Sequence, residues 1–351
     1  MKKTTVSIYS IIHFIVDLAC AILVTNLVMQ KMGMGIHLLI AVIIYNFFAF
    51  AMQLPIGIIA DKVNKNALCS AIGCVIVALS FCFANYGIVA CLVSGIGNAL
   101  FHVGGGIDVL NISDKKASLS GIYVSTGSMG IFLGGKSASI GFNQYYLVML
   151  VLMISALALL WLYNKLKDRA EYQNEEIIFP VLNKTEILII VCLMITVVIR
   201  GYIGLILAFE WKSNFVLALI SIFAVIFGKM LGGIIGDRIG FLKVSLISLI
   251  VSAILYIFAF SNSVCGILAI LFFNMTMPIT LTALSNILFN NKGMAFGLLT
   301  FALFIGAAPV LFGYTKALFS PVGLCITSLV SAVVLFIGIK NYNTIMEKKN
   351  D

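Results

Sequence analysis

Twelve apolar segments, each about as long as a membrane-crossing helix, follow one another along this 351-residue chain. A helix needs roughly 20 apolar residues to cross the hydrocarbon core of a bilayer. With 62% hydrophobic and only 10% charged residues, the chain has too little polar surface for a soluble globule. The sequence therefore predicts an all-α integral membrane protein. The segments lie near 7–30, 36–60, 67–85, 87–111, 117–141, 145–163, 185–209, 213–236, 242–261, 264–289, 293–314 and 319–340.

Basic residues are concentrated in alternate loops. If the amino terminus is cytoplasmic, the inner segments hold sixteen lysines and arginines, whereas the outer loops hold few, among them Lys31 and Lys212. Cytoplasmic loops carry this excess, so both ends are predicted to be inside, which an even number of spans requires. The net charge of +9 is thus an orientation signal, and nucleic acid is not expected as a partner.

The chain repeats itself at an offset of 176 residues. This offset places the segment 57–62, Gly-Ile-Ile-Ala-Asp-Lys, on the segment 233–238, Gly-Ile-Ile-Gly-Asp-Arg. It also pairs Asn98 with Asn274, Lys116 with Lys292, Gly121 with Gly297 and Gly130 with Gly306. Such self-similarity is typical of a duplicated fold. We expect a six-helix bundle at 1–163, a cytoplasmic loop at 164–184 and a second six-helix bundle at 185–351.

Two six-span halves, each with G-x-x-x-D-[KR] after its second span, resemble the major facilitator superfamily of transporters. The resemblance covers nearly the whole chain. It implies twelve transmembrane helices in two pseudo-repeated bundles and transport by alternating access around a midplane site. The segments 95–109 and 274–309 also resemble the fosmidomycin-resistance-type branch. Such relatives carry Phe-His-Pro-Glu where this chain reads Phe101-His102-Val103-Gly104, so a role tied to that glutamate cannot be transferred.

The duplicated motif predicts two gates at the cytoplasmic membrane edge. Each aspartate can face the positive amino-terminal end of a helix, which the resemblance assigns to the eleventh and fifth spans. The glycine one turn earlier lets helices approach closely, and the following cation is a nearby partner. The alternative is that these are polar turn residues at the membrane edge. The predicted gating residues are Gly57, Asp61, Lys62, Gly233, Asp237 and Arg238.

His13 and Asp17 share one face of the first span, and Asp17 lies roughly 15 Å into the membrane. A carboxylate at that depth is costly unless it is paired, protonated or facing water. His102 falls at a similar depth in the fourth span. These three residues are therefore predicted to couple transport to protons, with the proton gradient as the energy source. A neutral His102 bonded to a nearby carbonyl is the competing interpretation.

Cations and amides inside later spans are candidate substrate ligands. Arg200 lies roughly 22 Å from the cytoplasmic end of its span and could recognise an anion, pair with Asp17 or reach outward to the interface. Lys229, about 12 Å inside the membrane, is a further cavity candidate. Asn98 and Asn274 could line a polar pathway or simply bond neighbouring helices.

The sequence lacks a Walker loop, a zinc-protease motif and a nucleophile triad, so no catalytic residue, metal site or cofactor is expected. Its eight cysteines lie in apolar runs and read as small buried hydrophobes. The primary hypothesis is proton-coupled efflux of a small organic molecule, such as an anionic or drug-like compound, by a monomeric antiporter in a bacterial plasma membrane. A proton-linked uptake symporter is the alternative, and a sensor or lipid-handling protein is the alternative from another class.

Overall fold

The computed structural model describes residues 1–173, 181–314 and 318–350, and these residues form helices and connecting turns without a β-strand. The predicted loop 164–184 lies partly outside the described residues. Thirteen helices follow in chain order, and some of them contain a π-helical, 3-10 or single-residue interruption. They are α1 Lys2–Met32, α2 Ile36–Val63, α3 Asn66–Phe83, α4 Gly87–Ile112, α5 Ser118–Ser125, α6 Gly127–Lys136, α7 Tyr145–Leu166, α8 Lys184–Ile206, α9 Phe215–Ile239, α10 Phe241–Phe258, α11 Ser263–Ile287, α12 Lys292–Leu311 and α13 Pro321–Asn350.

Eleven runs of helix in the described chain are long and apolar enough to cross a membrane. Many large apolar side chains point outward from these helices, as bilayer-facing residues do. Ile154 and Leu157 of α7, for example, are 56% and 64% exposed. The prediction of an all-α, multi-pass membrane protein is confirmed.

The predicted fifth span, 117–141, is built from two shorter helices and a 3-10 turn rather than one continuous helix. α5 ends at Ser125 and α6 begins at Gly127, while a 3-10 turn occupies Ser137–Ile140. At the break, the Thr126 hydroxyl donates to the Ser10 carbonyl oxygen of α1 at 2.7 Å. A side-chain bond to a neighbouring helix and the surrounding glycines account for an interruption that apolar periodicity does not show.

Helices α6 and α1 approach each other closely because the glycines of α6 place no side chain between them. A Cβ atom on Gly130 would meet the Phe14 carbonyl oxygen of α1, and one on Gly134 would lie 2.6 Å from the Leu18 carbonyl oxygen. The same sequence feature that interrupts the fifth span therefore brings α6 against the part of α1 that carries the buried polar residues.

The described residues pack into two compact units. Unit 1 contains residues 1–114, 126–173 and 290–301, and unit 2 contains 115–125, 181–289, 302–314 and 318–350. α5 thus belongs to unit 2, and the first half of α12 belongs to unit 1. Packing shows which segments are in contact rather than which segments move together, so the domain boundaries at 163 and 185 stay a prediction.

Candidate functional site

Four polar side chains from α1 and α4 meet inside unit 1. His13 and Asp17 lie one turn apart on α1, with the His13 Nε2 atom 3.2 Å from an Asp17 carboxylate oxygen. His102 of α4 places its Nε2 atom 2.9 Å from the same His13 nitrogen and 3.5 Å from the other Asp17 oxygen. Asn98 donates to Asp17 at 3.2 Å. We call these residues the imidazole–carboxylate cluster.

The cluster is enclosed by protein. His13, Asp17 and Asn98 are 5%, 8% and 2% exposed, respectively. The Asn98 amide also approaches the Cys20 sulfur at 3.6 Å. Because buried charges need partners, these mutual contacts explain how a carboxylate is held inside an apolar helix bundle.

The hydrogen bonds define how protons are distributed in the uncharged imidazoles. The His102 Nδ1 atom is 2.8 Å from the Asn98 carbonyl oxygen, which can only accept, so this nitrogen carries the hydrogen. Neutral His102 then has a lone pair on Nε2, and His13 must donate its Nε2 hydrogen toward it and toward Asp17. An added proton on His102 Nε2 would place two N–H groups opposite each other. Protonation of His102 therefore requires its contact with His13 to rearrange.

α6 forms a wall of the cluster without contributing a side chain. A Cβ atom at Gly127 would collide with the Asp17 carboxylate and the His13 ring. Only glycine leaves room for both groups at this position. No sequence pattern connects Gly127 with Asp17, because the two residues are far apart along the chain.

His13, Asp17 and His102 are also a set of donors of the kind that binds divalent transition metals. Their ligand atoms all lie within 4.8 Å of one another. Hydrogen bonds among the same atoms satisfy the cluster without an ion, so the geometry is compatible with proton binding and with metal binding. A transport assay with a chelator separates the two.

Asp61 caps the amino terminus of α12. Its carboxylate accepts from the backbone N–H groups of Gly293 at 2.7 Å and Met294 at 2.9 Å. Asp61 is 2% exposed. A buried carboxylate on two orphan N–H groups at the positive end of a helix is a strong, directional contact.

Asp237 makes the corresponding contact at α5. It accepts from the N–H groups of Ala117 at 2.7 Å and Ser118 at 2.9 Å. The two contacts are equivalent in the repeat. Asp237 lies 176 residues after Asp61, and Gly293 and Met294 lie 176 residues after Ala117 and Ser118. The expected approach of both aspartates to the eleventh and fifth spans is therefore present in the structure, once in each unit.

The motif glycines make these two contacts possible. A Cβ atom on Gly57 would collide with the Gly293 carbonyl oxygen, and one on Gly233 would collide with that of Ala117. The cations that follow the aspartates, Lys62 and Arg238, are both exposed.

The candidate substrate residues of the second repeat all lie in unit 2. Arg200 of α8 donates from Nη1 to the Thr280 hydroxyl of α11 at 3.3 Å. Lys229 of α9 donates to the Val124 carbonyl oxygen of α5 at 3.1 Å. Asn274 donates to the Ile270 carbonyl oxygen of its own helix at 2.8 Å. Asn98, in contrast, belongs to the imidazole–carboxylate cluster.

A further buried carboxylate, Asp108, lies near the predicted cytoplasmic end of α4. It accepts from the Tyr9 hydroxyl at 2.6 Å and from the Asn66 amide at 2.9 Å. The loop residue Tyr172 closes over this network, since its carbonyl oxygen accepts from Asn111 at 3.1 Å and its hydroxyl is 3.1 Å from Thr5. Burial raises the pKa of the Tyr172 phenol. This network holds the described part of the loop 164–184 against α1, α3 and α4.

The helical membrane architecture, the duplicated aspartate contacts and the buried polar cluster together define a membrane transporter. The family model of the Major Facilitator Superfamily matches residues 5–310. The chain belongs to this superfamily, which confirms the twelve-helix fold and the resemblance drawn from the duplicated motif. This protein is therefore a secondary transporter and not an enzyme. No curated protein matches the chain in sequence.

Solved structures of two kinds of transporter share the fold at low sequence identity. The outward conformation of the transporter FucP is 14% identical, covers 96% of this chain and 98% of its own, and gives a TM-score of 0.68. A variant of the E. coli fucose:proton symporter FucP gives 0.63 with the same identity and coverage. A bacterial homologue of the iron transporter ferroportin, outward-facing, is 11% identical over 98% of this chain and 99% of its own, with a TM-score of 0.61.

Proposed function

We propose that this protein is a proton-coupled secondary transporter of a small organic molecule and that the imidazole–carboxylate cluster is its proton site. The observation that carries the proposal is that the buried Asp17 carboxylate, the buried His13 imidazole and the half-buried His102 imidazole lie within 3.5 Å of one another. Imidazole is the side chain best suited to gain and lose a proton near neutral pH.

The cluster couples protonation to shape through its hydrogen bonds. In the uncharged state His13 donates toward His102, and an added proton on His102 forces this bond to break. The Cys20 thiol and the Tyr45 phenol lie beside the cluster. A rearrangement therefore changes contacts between α1, α4 and α6, which meet at Asp17, His102 and Gly127.

The two aspartate contacts supply the gate in this proposal. When Asp61 and Asp237 hold the amino termini of α12 and α5, the predicted cytoplasmic side is closed. Opening that side requires the carboxylates to release the backbone N–H groups. Because the contacts are repeat-related, we propose that both gates act in the same step of the cycle.

Efflux by proton antiport is the proposed direction, in a bacterial plasma membrane with both termini cytoplasmic and with the protein as a monomer. Proton symport for uptake is the second candidate. It is favoured by the name of one structural neighbour, the fucose:proton symporter FucP, which demonstrates that this fold accommodates symport. Cells that exclude the compound support efflux, and cells that accumulate it support uptake.

The test is substrate-dependent proton flux in proteoliposomes, screened with phosphonate, organic-acid and cationic-drug pools. Asp17→Asn and His102→Gln should abolish the coupled flux, because each removes a member of the cluster. His37→Gln is the matched control, since His37 is the remaining histidine and is exposed. Unchanged coupling in Asp17→Asn would refute the proton assignment. Flux that is lost with a chelator and restored by a divalent metal would replace it with metal dependence.

A further inference from the structure

Arg200 is a buried cation whose described hydrogen bond is to a neutral group rather than to an anion. The residue is 7% exposed, and its described hydrogen bond is to the neutral hydroxyl of Thr280. That hydroxyl already donates to the Met277 carbonyl oxygen of α11 at 2.9 Å. The guanidinium has five N–H donors, so most of them have no acceptor in the described part of the chain.

The helices packed around Arg200 carry no carboxylate at its level. In α8 the acidic residue is Glu186, at the first turn and roughly 21 Å away along the helix axis. α11 and α12, which pack against α8, have no acidic residue. In α13, which also packs against α8, the acidic residue is Glu347, in the last turn of the helix. In α9 the acidic residue is Asp237, whose carboxylate holds the amino terminus of α5. Among its described residues, unit 2 therefore buries a cation without supplying an anion beside it.

A second cation lies on a neighbouring helix of the same unit. Lys229 follows Gly228, at which a Cβ atom would be 3.1 Å from the Asn274 side chain, so α9 is pressed against α11 here. Thr280, the partner of Arg200, lies less than two turns further along α11. Arg200 and Lys229 thus both lie on helices that contact α11 between Asn274 and Thr280, while the Lys229 ammonium is held by the Val124 carbonyl oxygen of α5.

We infer that Arg200 recognises the anionic group of the transported molecule, a carboxylate, phosphonate or phosphate that fits the guanidinium fork in two hydrogen bonds. The inference rests on the proposed transport function and names its substrate class. A buried guanidinium without a carboxylate is costly in free energy, and a bound anion supplies the missing partner. The planar fork suits tetrahedral and trigonal oxyanions, whereas neutral sugars and cationic drugs offer no matching charge.

Protection from phenylglyoxal tests the site directly, without transport. The chain has three arginines, and Arg169 and Arg238 are exposed internal controls. Mass spectrometry of purified protein should find Arg200 modified slowly, and methylphosphonate, succinate or inorganic phosphate should slow that modification at least threefold without changing the controls. Equal rates with every anion, or an Arg200 that stays unmodified, would overturn the inference. Protection by vesicles of anionic phospholipid but not by free anions would assign the site to a lipid headgroup instead.

Two substitutions separate recognition from a structural ion pair. Arg200→Met should leave the unfolding temperature unchanged or raised, because it removes an unpaired buried charge, whereas loss of a hidden ion pair would lower it. Arg200→Lys keeps the charge but loses the fork, and should raise the half-saturation concentration for an anionic substrate roughly tenfold while the maximal proton flux is preserved. A lowered unfolding temperature for Arg200→Met or an unchanged half-saturation for Arg200→Lys would count against the inference.

The same proteoliposomes keep the two proposals apart. A neutral or cationic substrate that Arg200→Lys transports like the parent protein, with coupling still dependent on Asp17, would refute anion recognition and leave proton coupling intact. Anion transport that depends on Arg200 but is unaffected by Asp17→Asn would refute proton coupling at the cluster and leave anion recognition intact.

Discussion

Replacing Asp61 with asparagine should release the amino terminus of α12 while the equivalent contact at α5 remains. In the parent protein the carboxylate accepts from Gly293 and Met294, and asparagine keeps one acceptor oxygen but presents an amide N–H to the second donor. The substitution also removes the negative charge at the positive end of the helix.

The expected cost follows from these two losses. A hydrogen bond to a charged group contributes about 1.5–3 kcal/mol, and a charge at a partly buried helix terminus contributes about 1–2 kcal/mol. Since the lost terms overlap, we expect local opening to become easier by about 2–4 kcal/mol. Each 1.4 kcal/mol is a factor of ten, so exchange of the capped amides should accelerate by roughly thirty- to several-hundredfold.

Amide hydrogen exchange measured by mass spectrometry reports this change peptide by peptide. Asp61→Asn should accelerate exchange at 293–294 and leave 117–118 unchanged, and Asp237→Asn should produce the reverse pattern. Each variant is therefore the matched control of the other. Unaltered exchange at the affected terminus would refute the capping argument. Acceleration at both termini in each single variant would show that these amides exchange through the joint opening proposed for the transport cycle rather than through local release of one helix terminus.

Three further perturbations test other features of the structure. Gly127→Ala should lower stability by about 1–3 kcal/mol, because its Cβ would collide with Asp17 and His13; Gly135→Ala in the same helix meets open space and should leave the unfolding temperature unchanged. Tyr9→Phe should cost about 1–3 kcal/mol in thermal unfolding by removing the 2.6 Å donor to buried Asp108, and an unchanged unfolding temperature would contradict the network. Burial lowers the pKa of Lys212 to about 8, so the unfolded chain binds more protons between about pH 8 and pH 10.4, and stability should rise with pH across that window. Lys212→Met should remove this rise, and a ¹³C-methylated Lys212 that titrates near its ordinary value would refute it.

The duplicated motif allowed the aspartate contacts to be anticipated because sequence similarity carries information about equivalent positions. Asp61 and Asp237 were predicted to face the starts of the eleventh and fifth spans, and both do. The fold was equally accessible, since length and hydropathy constrain a membrane helix more strongly than they constrain a soluble one. The opening and closing of the two aspartate contacts during transport stays a prediction.

The cluster was only partly accessible from the sequence. His13 and Asp17 share a helix face by simple spacing, but the 2.9 Å approach of His102 depends on the relative height and rotation of α1 and α4. Span boundaries estimated from hydropathy are uncertain by several residues, or several ångströms along the axis. The contribution of Gly127 was missed because it consists only of the space left by the absent side chain, which Asp17 and His13 occupy.

The break between α5 and α6 was missed for a different reason. Apolar content continues across residues 117–141, so hydropathy reports one span, whereas the interruption depends on the Thr126 bond to Ser10 in another helix. Arg200 was singled out by its depth alone, and Thr280 as its partner could not be read from sequence. Contacts of this kind depend on tertiary packing, and no periodic pattern in the sequence reports them.

The two aspartate contacts also impose an order on biosynthesis. Asp237 emerges from the ribosome after its partners at 117–118, whereas Asp61 precedes Gly293 by 232 residues. At about 5–20 residues per second, the Asp61 carboxylate waits roughly 12–46 seconds for its helix terminus to be made. During that interval the nascent chain carries an aspartate at the membrane edge without the two amides that later hold it. The Asp61 contact, whose aspartate is synthesised first, is therefore completed after the Asp237 contact.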